Sequence, residues 1–229
     1  MPKISVCMGT KNEEKAIKKV IEDFRKVLGK EVEFVITDSS SDRTAEIAES
    51  LGAKVMRQPP QGYGIALLSS LLVASGDVII TTDCDDTYPV AVVPEMLEHI
   101  KNGSDVVSAS RLLGKKRVKA MPFFNEFGNR MFALFTGVLY GFKCTDATTG
   151  MRAFKHEVIQ NIEWTENTGL SLELMFKPAA LGYKIAEVPI EYKERIGQVK
   201  LNPIKGGFAM LKSVLKYKIR PIRGKRKIS

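Results

Sequence analysis

Histidine and cysteine are scarce in this chain of 229 residues, and their scarcity removes two classes of chemistry. His99 and His156 are the only histidines, too few for a histidine-built metal centre. Cys7, Cys84 and Cys144 stand far apart and form no C-x-x-C pair, which argues against a disulfide framework, a zinc site and a redox pair. Long apolar runs are lacking too. The uncharged stretch 131–142 has 12 residues, against the roughly 20 that cross a bilayer, so no transmembrane span is expected. The segment from Met1 turns polar at Thr10 and holds no small-residue cleavage site, so it reads as a first strand rather than a signal peptide. A cytoplasmic protein is expected. Acidic residues are missing from the end of the chain: residues 195–229 hold 11 Lys and Arg, so of a net charge of +9 this stretch supplies +11 and the rest −2. Such a cationic end suits nucleic acid, an anionic membrane surface or a phosphorylated substrate.

What is present is well mixed, 44% hydrophobic and 27% charged, enough for one large α/β core. Residues 3–8 (KISVCM) are apolar and β-prone, and residues 13–28 repeat Ile17, Val20, Ile21, Phe24, Val27 and Leu28 at helical spacing. The strand-then-helix pattern recurs as VEFVITD and TAEIAESL, AKVMRQ and IALLSSLLVAS, GDVIITTD and VVPEMLEHI, with DVVSAS as a fifth strand. This alternation predicts an α/β fold with a doubly wound, mainly parallel sheet, whose ligand site lies at the carboxyl ends of the strands. Past residue 111 come a basic loop, an apolar helix (NRMFALFTGVLYGF), a short DATTGMRAF segment, another helix (LSLELMFKPAAL) and a strand (KIAEVPIEY). Residues 204–219 then place Ile204, Phe208, Leu211, Leu215 and Ile219 on one helical face, flanked by Lys205, Lys212 and Lys216.

Polar residues collect where the first strands end: 9–13 after strand one, 38–42 after strand two and 83–86 after strand four. Three loops would open on one crevice. Asn12 and Asp42 also suit helix capping, a role that does not account for the run TTDCDD. Asp83-x-Asp85 offers hard carboxylate oxygens to Mg²⁺ or Mn²⁺, ions that complete their shell with a substrate's phosphate oxygens, and the matching ligand is a nucleoside diphosphate.

With these loops in place the chain resembles a family 2 glycosyltransferase of the GT-A fold, and within it the polyprenyl-phosphate (dolichyl-phosphate) hexose synthases. The resemblance runs from about Ile4 to Leu201, with the motifs in the family's order. Its nucleotide half is Thr10-Lys11-Asn12-Glu13-Glu14, residues 38–44, Gly62-Tyr63-Gly64-Ile65-Ala66, and Gly76-Asp77 leading to Asp83-Cys84-Asp85. Its acceptor half is Ser110-Arg111, Met121-Pro122, Gly128-Asn129-Arg130, residues 146–154, and Glu187-Val188-Pro189-Ile190 leading to Arg195, Gly197, Lys200 and Leu201. The resemblance implies a GT-A domain over 1–203, with a nucleotide-sugar half (1–110) and an acceptor half (111–203), and a basic amphipathic tail at 204–229.

It further implies a metal-dependent inverting transfer of a hexose from a UDP- or GDP-sugar to a polyprenyl (dolichyl) phosphate. Asp38 would accept the base's ring N–H, while Gly9, Thr10, Lys11, Glu13, Ile36 and Cys84 would hold the nucleotide sugar. Asp83, Asp85 and Thr87 would hold Mg²⁺ or Mn²⁺. Arg111, Arg195 and Lys200 would clasp phosphates, and Asp85, Asp146 and Arg195 are the catalytic candidates. The chain departs from the family's usual pattern at Gly9, Lys11, Thr37 and Thr87.

A phosphate monoester is already an anion near neutral pH, so it needs no general base, whereas a sugar hydroxyl does. The helix TGLSLELMFKPAAL lacks the adjacent acidic pair common in family members that act on hydroxyls and offers only Glu173. A hydroxyl acceptor with Glu173 or Asp146 as base remains the alternative. The tail suits peripheral contact with the cytosolic face of an anionic membrane, each near-surface charge contributing about 1 kcal/mol. Equally, it suits packing on its own domain. A sugar-phosphate nucleotidyltransferase would carry more glycine after strand one, and a nucleic-acid module would interleave aromatics with the tail's Lys and Arg; nucleic acid is not expected as a partner.

Overall fold

The structure, a computed structural model, describes residues 2–113, 123–193 and 203–225. Strands and helices alternate through the first half: β1 (Ile4–Thr10), α1 (Ile17–Leu28), β2 (Glu33–Asp38), α2 (Thr44–Ser50), β3 (Lys54–Arg57), α3 (Tyr63–Val73), β4 (Val78–Thr81), α4 (Val93–Lys101) and β5 (Val106–Ser110). There follow α5 (Phe123–Tyr140), β6 (Arg152–Lys155), α6 (His156–Asn161), α7 (Leu170–Ala180), β7 (Ile185–Pro189) and α8 (Pro203–Ile219). The first helix starts at Ile17, not at residue 13, because Glu13 is held in a turn. Its carbonyl accepts from the N–H groups of Ala16 and Ile17, and its own N–H donates to Thr44 Oγ1 at 2.8 Å.

One seven-stranded sheet runs in the order β3-β2-β1-β4-β6-β5-β7. β1 pairs in parallel with β2 and β4, and β5 with β7. The chain leaves β1 for β2 on one side and later returns to β4 on the other, which opens the crevice of a doubly wound sheet at their carboxyl ends. β6 corrects the sequence reading, which left DATTGMRAF as an unassigned segment. Its four residues run antiparallel between β4 and β5, with Arg152 opposite Thr81 and Ser108. Four residues are too few for alternation to show, and the reversal brings the segment's start, not its end, to the carboxyl edge of the neighbouring strands.

Alternation along each strand sorts side chains to the two faces. Val6, Met8, Ile36 and Ile80 meet Ile17, Ile21 and Phe24 of α1 and Val93 and Met96 of α4 on one face. Cys7, Val35 and Ile79 meet Leu67 and Leu71 of α3 and Leu170 and Leu174 of α7 on the other. Each fully buried large apolar side chain contributes about 1.5–3 kcal/mol. All three cysteines are free thiols, and burial pushes those of Cys7 and Cys144 up, so they stay protonated and unreactive.

A third cluster joins α5, α7 and α8 through Ala133, Leu172, Phe176 and Val214. Tyr140 Oη donates to the Val214 carbonyl at 2.6 Å, Lys216 Nζ reaches Glu166 at 2.8 Å, and Tyr217 packs against Phe176. The inward face of α8 is therefore Ser213, Val214 and Tyr217, while Leu215 (44% exposed) and Ile219 (88%) point outward. Lining Ile204, Phe208, Leu211, Leu215 and Ile219 on one face misses this inner stripe. The side chains of Ile204, Lys205 and Phe208 lie outside the described ones. No described helix is long and apolar enough to cross a membrane.

Candidate active site

The carboxyl ends of β1 and β2 are stitched together by short polar side chains. Asp38, 4% exposed, accepts from Thr10 Oγ1 at 2.6 Å, Ser40 Oγ at 2.6 Å and the Ser40 N–H at 3.0 Å. Its carboxylate is thus preset at the rim of the crevice with lone pairs still to offer a donor. Asn12 joins the same loops, its N–H donating to Ser40 Oγ at 2.7 Å and its Oδ1 accepting from the Ser41 N–H at 2.9 Å. Asn12 and Asp86 both adopt left-handed backbone (φ 53° and 59°), a conformation Asn and Asp tolerate better than other non-glycine residues. The two sharp bends sit in the loops that follow β1 and β4.

Several of the residues expected to hold the nucleotide sugar also have packing roles. Gly9 is small because α3 presses on it: a Cβ there would lie 3.0 Å from Ala66 Cβ and 3.1 Å from the Leu67 amide nitrogen. Ile36 and Cys84 are core side chains, 0% and 3% exposed, so they offer a nucleotide only backbone. Lys11 is exposed and Glu13 half-buried at the rim.

At the end of β4 the chain presents Asp83, half-buried, and Asp85, 1% exposed. Thr87 donates to Asp85 Oδ1 from both Oγ1 (2.6 Å) and its N–H (3.2 Å), so the Thr87 hydroxyl orients this carboxylate. Tyr63 Oη donates to Asp83 Oδ1 at 2.8 Å, and burial, with Asp83 beside it, pushes the phenol well above its ordinary value so that it remains a donor. Gly150 closes the other side, where a Cβ would fall 2.7 Å from Asp83 Oδ2. Among the described residues no group of three or more His, Cys, Asp and Glu could hold a metal. Two carboxylates are what a Mg²⁺ or Mn²⁺ ion takes when a diphosphate and water supply its remaining oxygens, so the residues present fit such an ion.

Across the crevice Arg111 and Asp146 form a bidentate pair, Nε to Oδ2 at 2.7 Å and Nη2 to Oδ1 at 2.9 Å, with the Arg111 N–H also on Oδ2 at 3.1 Å. Burial pushes the Asp146 carboxyl up, but the guanidinium overrules it and holds the group below the usual carboxylate range. Asp146 is therefore a clamp for Arg111 and a poor proton acceptor. Arg111 also lies over the Tyr192 ring (5.4 Å to its centroid), and Tyr192 meets Tyr88 edge-on. Tyr88 Oη in turn accepts the Gly150 N–H at 2.6 Å. Tyr88 and Tyr192 had no sequence signal of their own, since an aromatic at a loop reads equally as packing. Arg195, Gly197 and Lys200, which follow Tyr192 in the chain, lie outside the described residues, as do Met121 and Pro122.

Glu173, the other candidate base, is fully buried, paired with Lys177, and accepts the N–H groups of Thr165 (3.0 Å) and Glu166 (3.0 Å). It anchors the loop ahead of α7. Asn167 in that loop, also unforeseen, caps the start of α3: its Oδ1 accepts from the N–H groups of Gly64 (3.1 Å) and Ile65 (3.3 Å).

Comparison with known proteins bears on the family and the fold. The family model described as Glycosyl transferase family 2 matches residues 5–163. A dolichyl-phosphate hexose transferase of Haloferax volcanii is 49% identical over 213 residues, covering 93% of this chain and 92% of that protein. A dolichol-phosphate mannosyltransferase of Pyrococcus furiosus is 30% identical over 211 residues, covering 87% of this chain and 59% of its own length. Among solved structures, glucosyl-3-phosphoglycerate synthase from Mycobacterium tuberculosis in complex with Mn²⁺, UDP and phosphoglyceric acid superposes with a TM-score of 0.75. It covers 96% of this chain and 80% of that one at 21% identity, a likeness of fold that makes this a GT-A sheet.

Proposed function

The chain belongs to glycosyl transferase family 2, and from that membership we propose that it moves a hexose from a UDP- or GDP-sugar to a polyprenyl phosphate, with a divalent ion on the donor diphosphate. The observation that carries this reading is the commitment of both candidate bases: Asp146 is clamped to Arg111 and Glu173 is buried against Lys177. A hydroxyl acceptor needs its proton removed and a phosphate does not. The relatives named for dolichyl phosphate favour the same acceptor.

In this reading Asp38 and the Thr10 loop orient the nucleoside, and Asp83 and Asp85 hold Mg²⁺ or Mn²⁺. When bound, that ion offsets charge on the leaving diphosphate. The acceptor's phosphate oxygen attacks the anomeric carbon from the opposite side, so the carbon–oxygen bond to the diphosphate breaks with inversion and the nucleoside diphosphate departs with the electron pair. Arg111 brings a guanidinium to the crevice, Asp146 fixing its plane through Nε and Nη2. Arg195 and Lys200 supply further cations between the two anions. Incubated with a panel of UDP- and GDP-hexoses and Mn²⁺, the protein should glycosylate polyprenyl phosphate and leave the corresponding polyprenol untouched. Equal transfer to the alcohol would overturn the acceptor assignment.

The same reading puts the protein at the cytosolic face of a membrane. α5 leaves Phe127 (57%), Met131 (48%), Leu134 (60%) and Val138 (75%) exposed at helical spacing, and the adjoining α8 leaves Leu215 and Ile219 exposed beside Lys212, Lys216 and Lys218. Apolar stripes edged with lysine suit an anionic lipid surface. Leu134→Glu with Val138→Glu should weaken binding to anionic vesicles by well over tenfold, since each of the two lost apolar side chains is worth about 1.5 kcal/mol or more, while transfer to a short-chain soluble acceptor continues. Unchanged vesicle binding would remove this surface from the proposal.

A further inference from the structure

The motif Gly62-Tyr63-Gly64 carries a tyrosine between two glycines, and the structure gives each a separate reason. A Cβ on Gly64 would sit 2.1 Å from the Asn167 carbonyl oxygen, and one on Gly62, whose φ is +110°, would sit 2.5 Å from the Asn167 side-chain amide. Both positions must lack a side chain for Asn167 to approach. Asn167 then uses its whole amide on this turn: Oδ1 accepts from Gly64 and Ile65, and Nδ2 donates to the Gln61 carbonyl at 2.7 Å. The start of α3 is thus capped by a residue about a hundred positions away, although no side chain within the turn caps it. The residue held between the glycines is Tyr63, and its hydroxyl reaches Asp83 Oδ1 at 2.8 Å.

We infer that Asn167 and Tyr63 are positioning residues that set the orientation of the Asp83 carboxylate for the divalent ion, and so tie metal affinity to the loop ahead of α7. The inference rests on the reading of Asp83 as a metal ligand. A half-buried carboxylate at a strand end has several rotamers open to it, and an ion that demands near-ideal geometry favours one of them. Tyr63 restrains the carboxylate from one side through Oδ1, and Gly150 leaves room for Oδ2 on the other. Partners of this outer kind typically matter 10- to 100-fold in metal affinity. Asn167 acts only through the position of Tyr63, so the two should not act independently.

The test is direct Mn²⁺ binding to the full chain with UDP present, followed by electron paramagnetic resonance, for the parent, Tyr63→Phe, Asn167→Ala, the double variant and Asp83→Asn. Tyr63→Phe should weaken Mn²⁺ binding about tenfold while the affinity for UDP without metal and the melting temperature stay at the parent's values. Asn167→Ala should weaken Mn²⁺ binding too, and adding it to Tyr63→Phe should cost little more, since both remove one restraint. Parent-like Mn²⁺ affinity in Tyr63→Phe overturns the inference, as do losses that multiply in the double variant. Asp83→Asn separates the metal ligand from the relay that orients it. If it loses Mn²⁺ while Tyr63→Phe does not, the relay alone falls; if it binds Mn²⁺ like the parent, the metal assignment falls and the relay with it.

Discussion

Asp85→Asn is expected to lower sugar transfer by roughly 10²–10⁴-fold with little loss of stability, because charge is removed at constant size. Asp85 is 1% exposed at the end of β4, and Thr87 donates to its Oδ1 from both side chain and backbone. An asparagine can present its carbonyl oxygen to the same two donors, so the loop keeps its shape. What disappears is the negative charge that, in the proposed function, would hold a divalent ion on the donor diphosphate. The leaving group's charge would then go uncompensated, so the loss should fall on kcat more than on KM for the nucleotide sugar. A chelator should silence the parent enzyme as well. Full turnover in the variant, or in chelator, would remove the metal from the mechanism; a collapse of the melting temperature would make Asp85 a folding residue instead.

Arg111→Met is expected to destabilise the protein by about 3–5 kcal/mol, the cost of leaving a buried carboxylate without its partner. Asp146 is fully buried and Arg111 nearly so, and the pair is bidentate. Sugar transfer should fall as well if, as proposed, the guanidinium serves the acceptor's phosphate. Replacing both residues, Arg111→Met with Asp146→Leu, should recover much of the stability but none of the activity, which separates the clamp from its catalytic use. Acid titration gives an independent readout. The folded pKa of Asp146 lies below the ordinary value, so its contribution to stability is present above the unfolded carboxylate pKa of about 3.9 and is lost as pH falls through the folded value. Urea unfolding at pH 6 and pH 3 should therefore show a steeper loss in the parent than in Asp146→Asn. Equal slopes, or additive losses in the double variant, would refute the pairing.

Much of the fold was legible from the chain because its signals are local. The helical spacing of Ile17, Val20, Ile21 and Phe24, the β-prone runs before Thr10, Asp38 and Asp83, and the gathering of polar residues after them each span only a few residues. They suffice for an α/β sheet with its crevice at the strand ends, and for the carboxylates at the end of β4. Partnerships between distant segments left no such trace. Arg111 meets Asp146 only because β6 reverses direction between β4 and β5, a choice made by long-range strand pairing and not by the preferences of RAFK. Asn167 reaches the start of α3 from about a hundred residues away, and Tyr63 reaches Asp83 across 20, through contacts that close only when the helices and loops pack on the sheet. Glu173 shows the same limit most plainly. A lone acidic residue on a helix reads as a base or a surface charge until burial and its neighbours, Lys177 and the Thr165 and Glu166 N–H groups, commit its oxygens. Residue type and spacing therefore establish which groups are available for chemistry, whereas packing assigns each carboxylate its donors and so its role.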